Sequence, residues 1–250
     1  MAVSGYVVPR SATALRGDRH PMTAPDTVIV DIDGTLVDTN YQHALAWYRA
    51  FRRFDVVIPV WRIHRHIGMG GDQLVEALAG AQVEKRHGDA LRQRWLEEFG
   101  SMIGEIVPLP GARDLLLELR RRGYRLVLAS SGTPEHTDHY LDLLDARPLA
   151  DAWTTSEDVE ATKPAPDLLQ VAVTKVDGAR PLLIGDSTWD CLAAGRIGVP
   201  AMAVLTGGFS DKELRQAGAG WIFHSLPDLQ AGLDETPLGT PLVDRAPLLR

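Results

Sequence analysis

From residue 110 onward, short apolar segments alternate with helical segments, and this alternation constrains the fold more than any other feature of the chain. The pattern predicts helices over 112–122, 134–144, 165–173, 187–197 and 211–217, and strands over 124–129, 181–184, 201–205 and 221–223. Strands that alternate with helices form a parallel sheet whose two faces the helices cover. In such sheets the functional crevice lies at the carboxyl ends of the strands.

An earlier strand is predicted at residues 28–30, which are apolar and β-branched, and it ends in two carboxylates before a turn at Gly34. Asp31 and Asp33 are two residues apart, so both side chains can point to the same side of an extended chain. Adjacent carboxylates repel each other unless one is protonated or a cation lies between them. The segment therefore offers a nucleophile, an acid and part of a metal site, although Asp-Gly is also common at plain turns.

Residues 38–109 are predicted to form a separate helical cap domain inserted soon after this strand. Apolar residues recur at helical spacing in three sets, around Phe51, Leu78 and Trp95. The core domain is then expected at 26–37 and 110–233.

Both ends of the chain are predicted to be additions to these domains. Residues 1–25 have no apolar segment typical of a secretory signal and are expected to be a disordered extension. Residues 234–250 contain three prolines and little periodicity, and we expect a loose tail there.

Composition excludes several classes of protein. The net charge of -7 argues against a general nucleic-acid binder, and no apolar run approaches the roughly 18 residues that span a membrane. The single cysteine, Cys191, excludes an internal disulfide, fits a reducing cytoplasm and is expected to be a small buried residue. We expect a cytoplasmic monomer that binds neither nucleic acid nor membranes.

Polar groups also follow the other predicted strands and precede one helix. They are Ser130, Ser131, Gly132, Lys163, Asp186 and Asp190. Carboxylates with few sulfur or imidazole partners suit a hard cation such as Mg²⁺. Hydroxyls, N–H groups at helix starts and a lysine suit a phosphate. The sequence thus predicts a site for Mg²⁺ and phosphate at this edge of the sheet.

Four of these segments resemble, in order and spacing, the motifs of the haloacid dehalogenase (HAD) superfamily, and in particular its phosphatases with a helical cap. Residues 31–35 (Asp-Ile-Asp-Gly-Thr) resemble the first motif, Ser130 the second, Lys163 with the following proline the third, and 185–190 the fourth. The resemblance covers residues 26–233. It implies an α/β fold, with a Rossmann-like parallel sheet, helices on both faces and an inserted α-helical cap.

The resemblance also implies residue roles. Asp31 would attack phosphorus, and Asp33 would protonate the leaving oxygen and then activate water. Mg²⁺ would be held by Asp31, by the backbone carbonyl of Asp33 and by Asp186, while Asp190 would orient metal-bound water. The groups expected to bind phosphoryl oxygens or offset their charge are Gly34, Ser130, Ser131, Gly132 and Lys163.

Several of these residues have structural alternatives. Ser130, Ser131 or Thr133 could cap the following helix. Asp190 could cap its own helix or pair with Arg196. Lys163 could be a solvated surface lysine, the usual fate of lysine.

Substrate specificity is expected to come from the cap. Arg65, His66 and Gly70 belong to a glycine-rich segment that could close over the site, and we expect Arg65 to contact the non-reacting end of the substrate. The alternative is that the arginines lie on a solvated helix face. His64 and His66 are expected to be surface or cap-loop residues rather than metal ligands.

Together these features predict a Mg²⁺-dependent hydrolase of small phosphate monoesters, phosphoglycolate-like or sugar phosphates, that works through an aspartyl-phosphate. The presence of an acid at Asp33 favours a phosphatase over the dehalogenating members, which lack that acid. Two alternatives stay open: a β-phosphoglucomutase-like phosphotransferase, and a catalytically silent protein that senses a phosphorylated ligand.

Overall fold

The computed structural model describes residues 24–176 and 180–239. Within this part of the chain, one parallel sheet contains six strands in the order β3-β2-β1-β4-β5-β6. The strands are β1 (Thr27–Asp31), β2 (Arg125–Ala129), β3 (Ala152–Thr154), β4 (Pro181–Gly185), β5 (Ala201–Val204) and β6 (Ala219–Phe223). The predicted α/β class is therefore confirmed.

The helices fall into an inserted group and a group that follows the strands. The inserted helices are α1 (Asn40–Arg53), α2 (Val60–His64), α3 (Gly71–Ala79) and α4 (Ala81–Gly100). The core helices are α5 (Ala112–Arg121), α6 (Pro134–Leu143), α7 (Asp167–Thr174), α8 (Thr188–Arg196), α9 (Asp211–Ala217) and α10 (Leu226–Ala231). None of these described helices is long and apolar enough to cross a membrane.

The central strand is apolar throughout because both of its faces are covered. Val28 and Val30 belong to a cluster with Leu119 of α5, whereas Ile29 belongs to a second cluster with Leu169 of α7. Adjacent residues of a strand point to opposite faces, so a strand covered by helices on both sides has an unbroken apolar sequence.

The cap has its own apolar cluster, with Phe51 of α1, Leu74 of α3 and Leu91 of α4. The chain enters and leaves it through two adjacent segments. The N–H of Asp38 donates to the carbonyl of Val107 at 3.0 Å, and the N–H of Leu109 donates to that of Leu36 at 2.9 Å.

Short elements account for the differences from prediction. Strand β3, with three residues, is too short to show alternation, and helices α2 and α10, with five and six residues, are too short for a helical period. Cys191 is buried, as predicted.

The expectation of a loose C-terminal tail is wrong for residues 234–239. Leu238 is fully buried, its carbonyl accepts a hydrogen bond from Arg122, and Arg122 also pairs with Asp234 at 2.7 Å. Prolines therefore do not prevent this segment from packing on the core. Residues 1–23 of the predicted extension and 240–250 of the predicted tail lie outside the described residues.

Candidate active site

The order of the strands brings the predicted site residues to one edge of the sheet. Strand β1, which ends at Asp31, lies between β2 and β4. Ser130 follows β2 and Asp186 follows β4 directly, so both side chains start beside Asp31. Asp190 lies in the first turn of α8, and Lys163 lies in the segment before α7.

Lys163 is an interior residue, with 2% of its surface exposed, so the surface alternative is wrong. Its Nζ donates to Asp31 Oδ1 and lies 2.7 Å from Asp190 Oδ1. Burial alone would lower the pKa of Lys163, but the charges of Asp190 and Asp31 raise it above its usual range. Burial and Asp190 raise the pKa of Asp31, which the Lys163 charge opposes.

Asp186 is held by two donors from the first motif and the cap. Thr35 Oγ1 donates to Asp186 Oδ1 and Asn40 Nδ2 donates to Asp186 Oδ2, each at 2.9 Å. Burial and the charge of Asp190 raise the pKa of Asp186 to about 7. A Cβ at Gly207 would overlap Asp186 Oδ2, so a glycine is required there for the close approach of the loop after β5.

Asp190 caps its own helix, which is one of the interpretations that the sequence left open, and it also contacts Lys163. Its Oδ2 accepts from the Ser187 N–H at 3.1 Å and from Ser187 Oγ at 2.6 Å, which forms a capping box at the start of α8. Its Oδ1 pairs with Lys163. The other structural alternative, a pair with Arg196, is not formed, because Arg196 donates to the carbonyl of Pro164 at 2.6 Å.

The acidic groups fit a divalent cation. Asp31, Asp186 and Asp190 are buried, and one oxygen of each lies within 4.8 Å of the others. Lys163 provides one buried positive charge against these three carboxylates, so two negative charges stay uncompensated when all three are ionised. Buried charges are stable only when paired or bound to metal, and oxygen ligands suit Mg²⁺. The carboxylate of Asp33 lies outside this cluster, and the roles of Asp33 and Asp190 toward a metal stay predictions.

Asp33 occupies a separate environment. Its Oδ2 accepts from Ser130 Oγ at 2.8 Å, and its Oδ1 lies 3.1 Å from His43 Nε2. Burial favours the neutral acid, but the hydrogen bonds and charge of His43, together with Ser130, outweigh it and lower the pKa of Asp33 to about 2. The His43 ring is itself fixed by stacking on Phe99, with 4.0 Å between ring centroids.

The segment after β2 separates the predicted phosphate-binding residues by what they contact. Thr133, rather than Ser130 or Ser131, is the N-cap of α6. Ser130 Oγ accepts from the Gly132 N–H at 2.9 Å while donating to Asp33. Ser131 Oγ is buried with no hydrogen-bond partner in the described part of the chain, which leaves it able to bind a phosphoryl oxygen. Gly34 adopts a φ of 76°, in the left-handed region that favours glycine.

The cap residues predicted to recognise substrate contact the core. Arg65 donates to the carbonyl of Gly208, pairs with Glu213 and lies 4.1 Å from the centre of the Phe209 ring. His66 Nδ1 donates to the carbonyl of Arg62 at 2.9 Å within the cap, and its ring centre lies 5.8 Å from that of Trp189 in α8. The solvated-face alternative is therefore wrong for Arg65, and its contact with substrate stays a prediction.

Gly70, the third cap residue predicted to recognise substrate, and His64 also contact the core. Gly70 donates its N–H to the carbonyl of Lys163 at 3.1 Å. His64, expected at the surface or in a cap loop, is buried, and its Nε2 lies 3.0 Å from the carbonyl of Gly207.

Sequence reasoning missed Asn40 and His43. They lie three residues apart at the start of α1, so they share one helix face, directly after the first motif. A polar pair on an otherwise apolar helix face beside the first motif is the signal that could have identified them.

Comparison with known proteins agrees with this geometry. The family model of haloacid dehalogenase-like hydrolases matches residues 25–198 of this chain. The chain belongs to this family. It is 30% identical over 211 residues to a phosphoglycolate phosphatase of Caulobacter vibrioides, and this alignment covers 81% of this chain and 88% of the relative. It is 26% identical over 184 residues to a validoxylamine A 7′-phosphate phosphatase of Streptomyces hygroscopicus subsp. limoneus, covering 71% and 84%.

Among solved structures, a hydrolase from Pseudomonas syringae superposes with a TM-score of 0.79 at 33% identity, covering 84% of this chain and 98% of that one. The predicted family and the predicted enzyme class, a phosphatase, are confirmed.

Proposed function

We propose that this phosphatase uses Mg²⁺ and hydrolyses small phosphorylated metabolites, phosphoglycolate-like or sugar phosphates, through an aspartyl-phosphate at Asp31. One observation carries the proposal. The buried Asp31, Asp186 and Asp190 converge with Lys163 at the carboxyl end of the central strand, while a second acid, Asp33, is held separately beside them.

In the first step, an oxygen of Asp31 forms a bond to phosphorus as the bond from phosphorus to the leaving oxygen breaks. Asp33 gives a proton to that oxygen, which releases an alcohol. In the second step Asp33 takes a proton from water, which attacks phosphorus and frees Asp31 and phosphate. Between the two steps Asp33 is a carboxylate, and the contacts with His43 Nε2 at 3.1 Å and Ser130 Oγ at 2.8 Å favour this form, because they lower the pKa of Asp33 to about 2.

The other groups position and neutralise charge, which is most of what phosphoryl transfer requires. Lys163 offsets the charge of Asp31, and Ser130, Ser131, Gly132 and Gly34 are the proposed binders of phosphoryl oxygens. Asp31, the Asp33 carbonyl and Asp186 would hold Mg²⁺, which would further stabilise charge on the transferred group.

The two other predicted activities are not favoured. The relatives reported above are phosphatases, which argues against a phosphotransferase. A silent sensor would not require both Asp31 and Asp33, to which the proposal assigns separate chemical roles. The predicted cytoplasmic location and monomeric state stay predictions.

The test is hydrolysis of p-nitrophenyl phosphate with MgCl₂ or with EDTA, followed by a panel of phosphoglycolate and sugar phosphates. We expect Mg²⁺-dependent turnover that Asp31→Asn abolishes and that Asp211→Asn, at an exposed carboxylate of α9, leaves unchanged. Absence of turnover by the wild type on every substrate, or turnover that survives Asp31→Asn, contradicts the proposal.

A further inference from the structure

Two residues at the start of helix α3 form hydrogen bonds with every polar atom of one core residue, Thr162. Asp72 Oδ2 accepts from the Thr162 N–H at 3.1 Å, and Asp72 Oδ1 accepts from Thr162 Oγ1. Gln73 Nε2 donates to the Thr162 carbonyl at 2.6 Å. Asp72 is an exposed residue, so its side chain is oriented by these hydrogen bonds to Thr162 rather than by packing.

Backbone packing reinforces this contact. A Cβ at Gly70 would overlap Thr162 Oγ1, so these two segments of the chain approach as closely as a glycine permits. The N–H of Gly70 donates to the carbonyl of Lys163, which is the next residue. The cap therefore contacts two consecutive residues, and the second of them carries the buried ammonium.

Lys163 depends on such contacts for its position. It lies in a segment without helix or strand between Asp158 and α7, so no regular hydrogen-bond ladder fixes its backbone. Its ammonium nevertheless has to lie between Asp31 and Asp190, where an error of about 1 Å can lower the rate by about 100-fold.

We propose that Asp72 is a positioning residue for catalysis: by holding Thr162, it aligns Lys163 with Asp31 only when the cap is docked on the core. The inference rests on the proposed phosphatase function. It assigns the glycine-rich segment of the cap a role toward the enzyme's own lysine, in addition to any contact with substrate. Docking of the cap and completion of the charged site then become one event.

A second contact between cap and core provides the matched comparison. Arg65 pairs with Glu213 of α9, far along the chain from Lys163. If Asp72 only fastens the cap, then breaking the pair at Glu213 should have a comparable effect. If Asp72 acts through Lys163, the two variants should differ.

The experiment compares Asp72→Ala, Glu213→Gln and Glu76→Gln, an exposed carboxylate one turn further along α3, in the phosphatase assay. We expect Asp72→Ala to lower kcat by between about 10- and 100-fold with a smaller change in KM. Glu213→Gln and Glu76→Gln should stay within about twofold of the wild type. Thr162→Val, which keeps the shape of the side chain but removes its hydroxyl, should lower kcat in the same direction as Asp72→Ala.

A double-mutant cycle supplies the decisive readout. In a Lys163→Ala background, Asp72→Ala should lower kcat no further, because the group that it aligns is gone. Equal losses from Asp72→Ala in the presence and absence of Lys163, or from Glu213→Gln and Asp72→Ala, overturn the inference. An inactive wild type would instead contradict the proposed function, so the two failures are distinguishable.

Discussion

Replacement of Lys163 by methionine tests the charge balance of the site through stability alone. Methionine keeps most of the length of the side chain but removes the ammonium that contacts Asp31 and Asp190. Removing one partner of a buried ion pair costs about 3–5 kcal/mol, because the other partner stays buried without compensation. For a chain of this size, each kcal/mol lowers Tm by about 2–4 °C, so the expected decrease is roughly 6–20 °C.

The matched control is Lys175→Met. Lys175 pairs with Asp158 at the same distance of 2.7 Å, but its side chain is 32% exposed, and such pairs contribute less than about 1 kcal/mol. Urea unfolding in EDTA, followed by tryptophan fluorescence, measures the free energy of unfolding of both variants, and thermal unfolding measures their Tm.

Addition of MgCl₂ should stabilise Lys163→Met more than it stabilises the wild type, since three carboxylates then face the cation with no ammonium beside them. A loss in Lys163→Met no larger than that in Lys175→Met would refute the reasoning. So would an identical response of Lys163→Met and wild type to Mg²⁺.

Two further perturbations address the loop after β5. Gly207→Ala would force a methyl group against Asp186, so we expect it to destabilise the fold by about 1–3 kcal/mol and to lower turnover. Gly220→Ala should preserve turnover, because its methyl group would lie 3.7 Å from the nearest atom. Equal turnover in the two variants would contradict this prediction. Burial, together with the charge of Arg65, lowers the pKa of His64 in the folded protein. As the pH falls below about 6.5, the unfolded chain therefore binds more protons than the folded protein does. The contribution of His64 to stability is thus present above about pH 6.5 and is lost as the pH falls below it. The stability difference between wild type and His64→Gln should therefore be smaller at pH 5 than at pH 8 in denaturant unfolding, and a difference that grows at pH 5 would show the opposite sign.

The residues that meet at the carboxyl edge of the sheet could be predicted from the sequence, because a single rule on parallel strands determines where they lie. Asp31, Ser130 and Asp186 each follow a buried apolar strand, and parallel strands bring such residues together whatever the length of chain between them. Lys163 was found through the motif it resembles, since its segment has no regular structure.

The contacts of the cap could not be predicted in the same way. Asn40 meets Asp186 across 146 positions of sequence, and this contact depends on how the cap rests on the core rather than on any local pattern. The same holds for Arg65, whose charge indicated a ligand but whose partner is Glu213. Side chains that join two packed bodies follow from tertiary geometry, which periodicity does not encode.

The adjacent entry and exit of the cap have a consequence for how such proteins can change. Because Val37 and Pro108 pair in an antiparallel bridge, the insertion starts and finishes at nearly the same point of the core. Helices could be lengthened, exchanged or replaced between these two positions without altering the spacing of the strands that carry Asp31 and Asp186. The residues at the edge of the sheet and the structure of the insertion can thus change independently, with the boundary between them at one pair of residues.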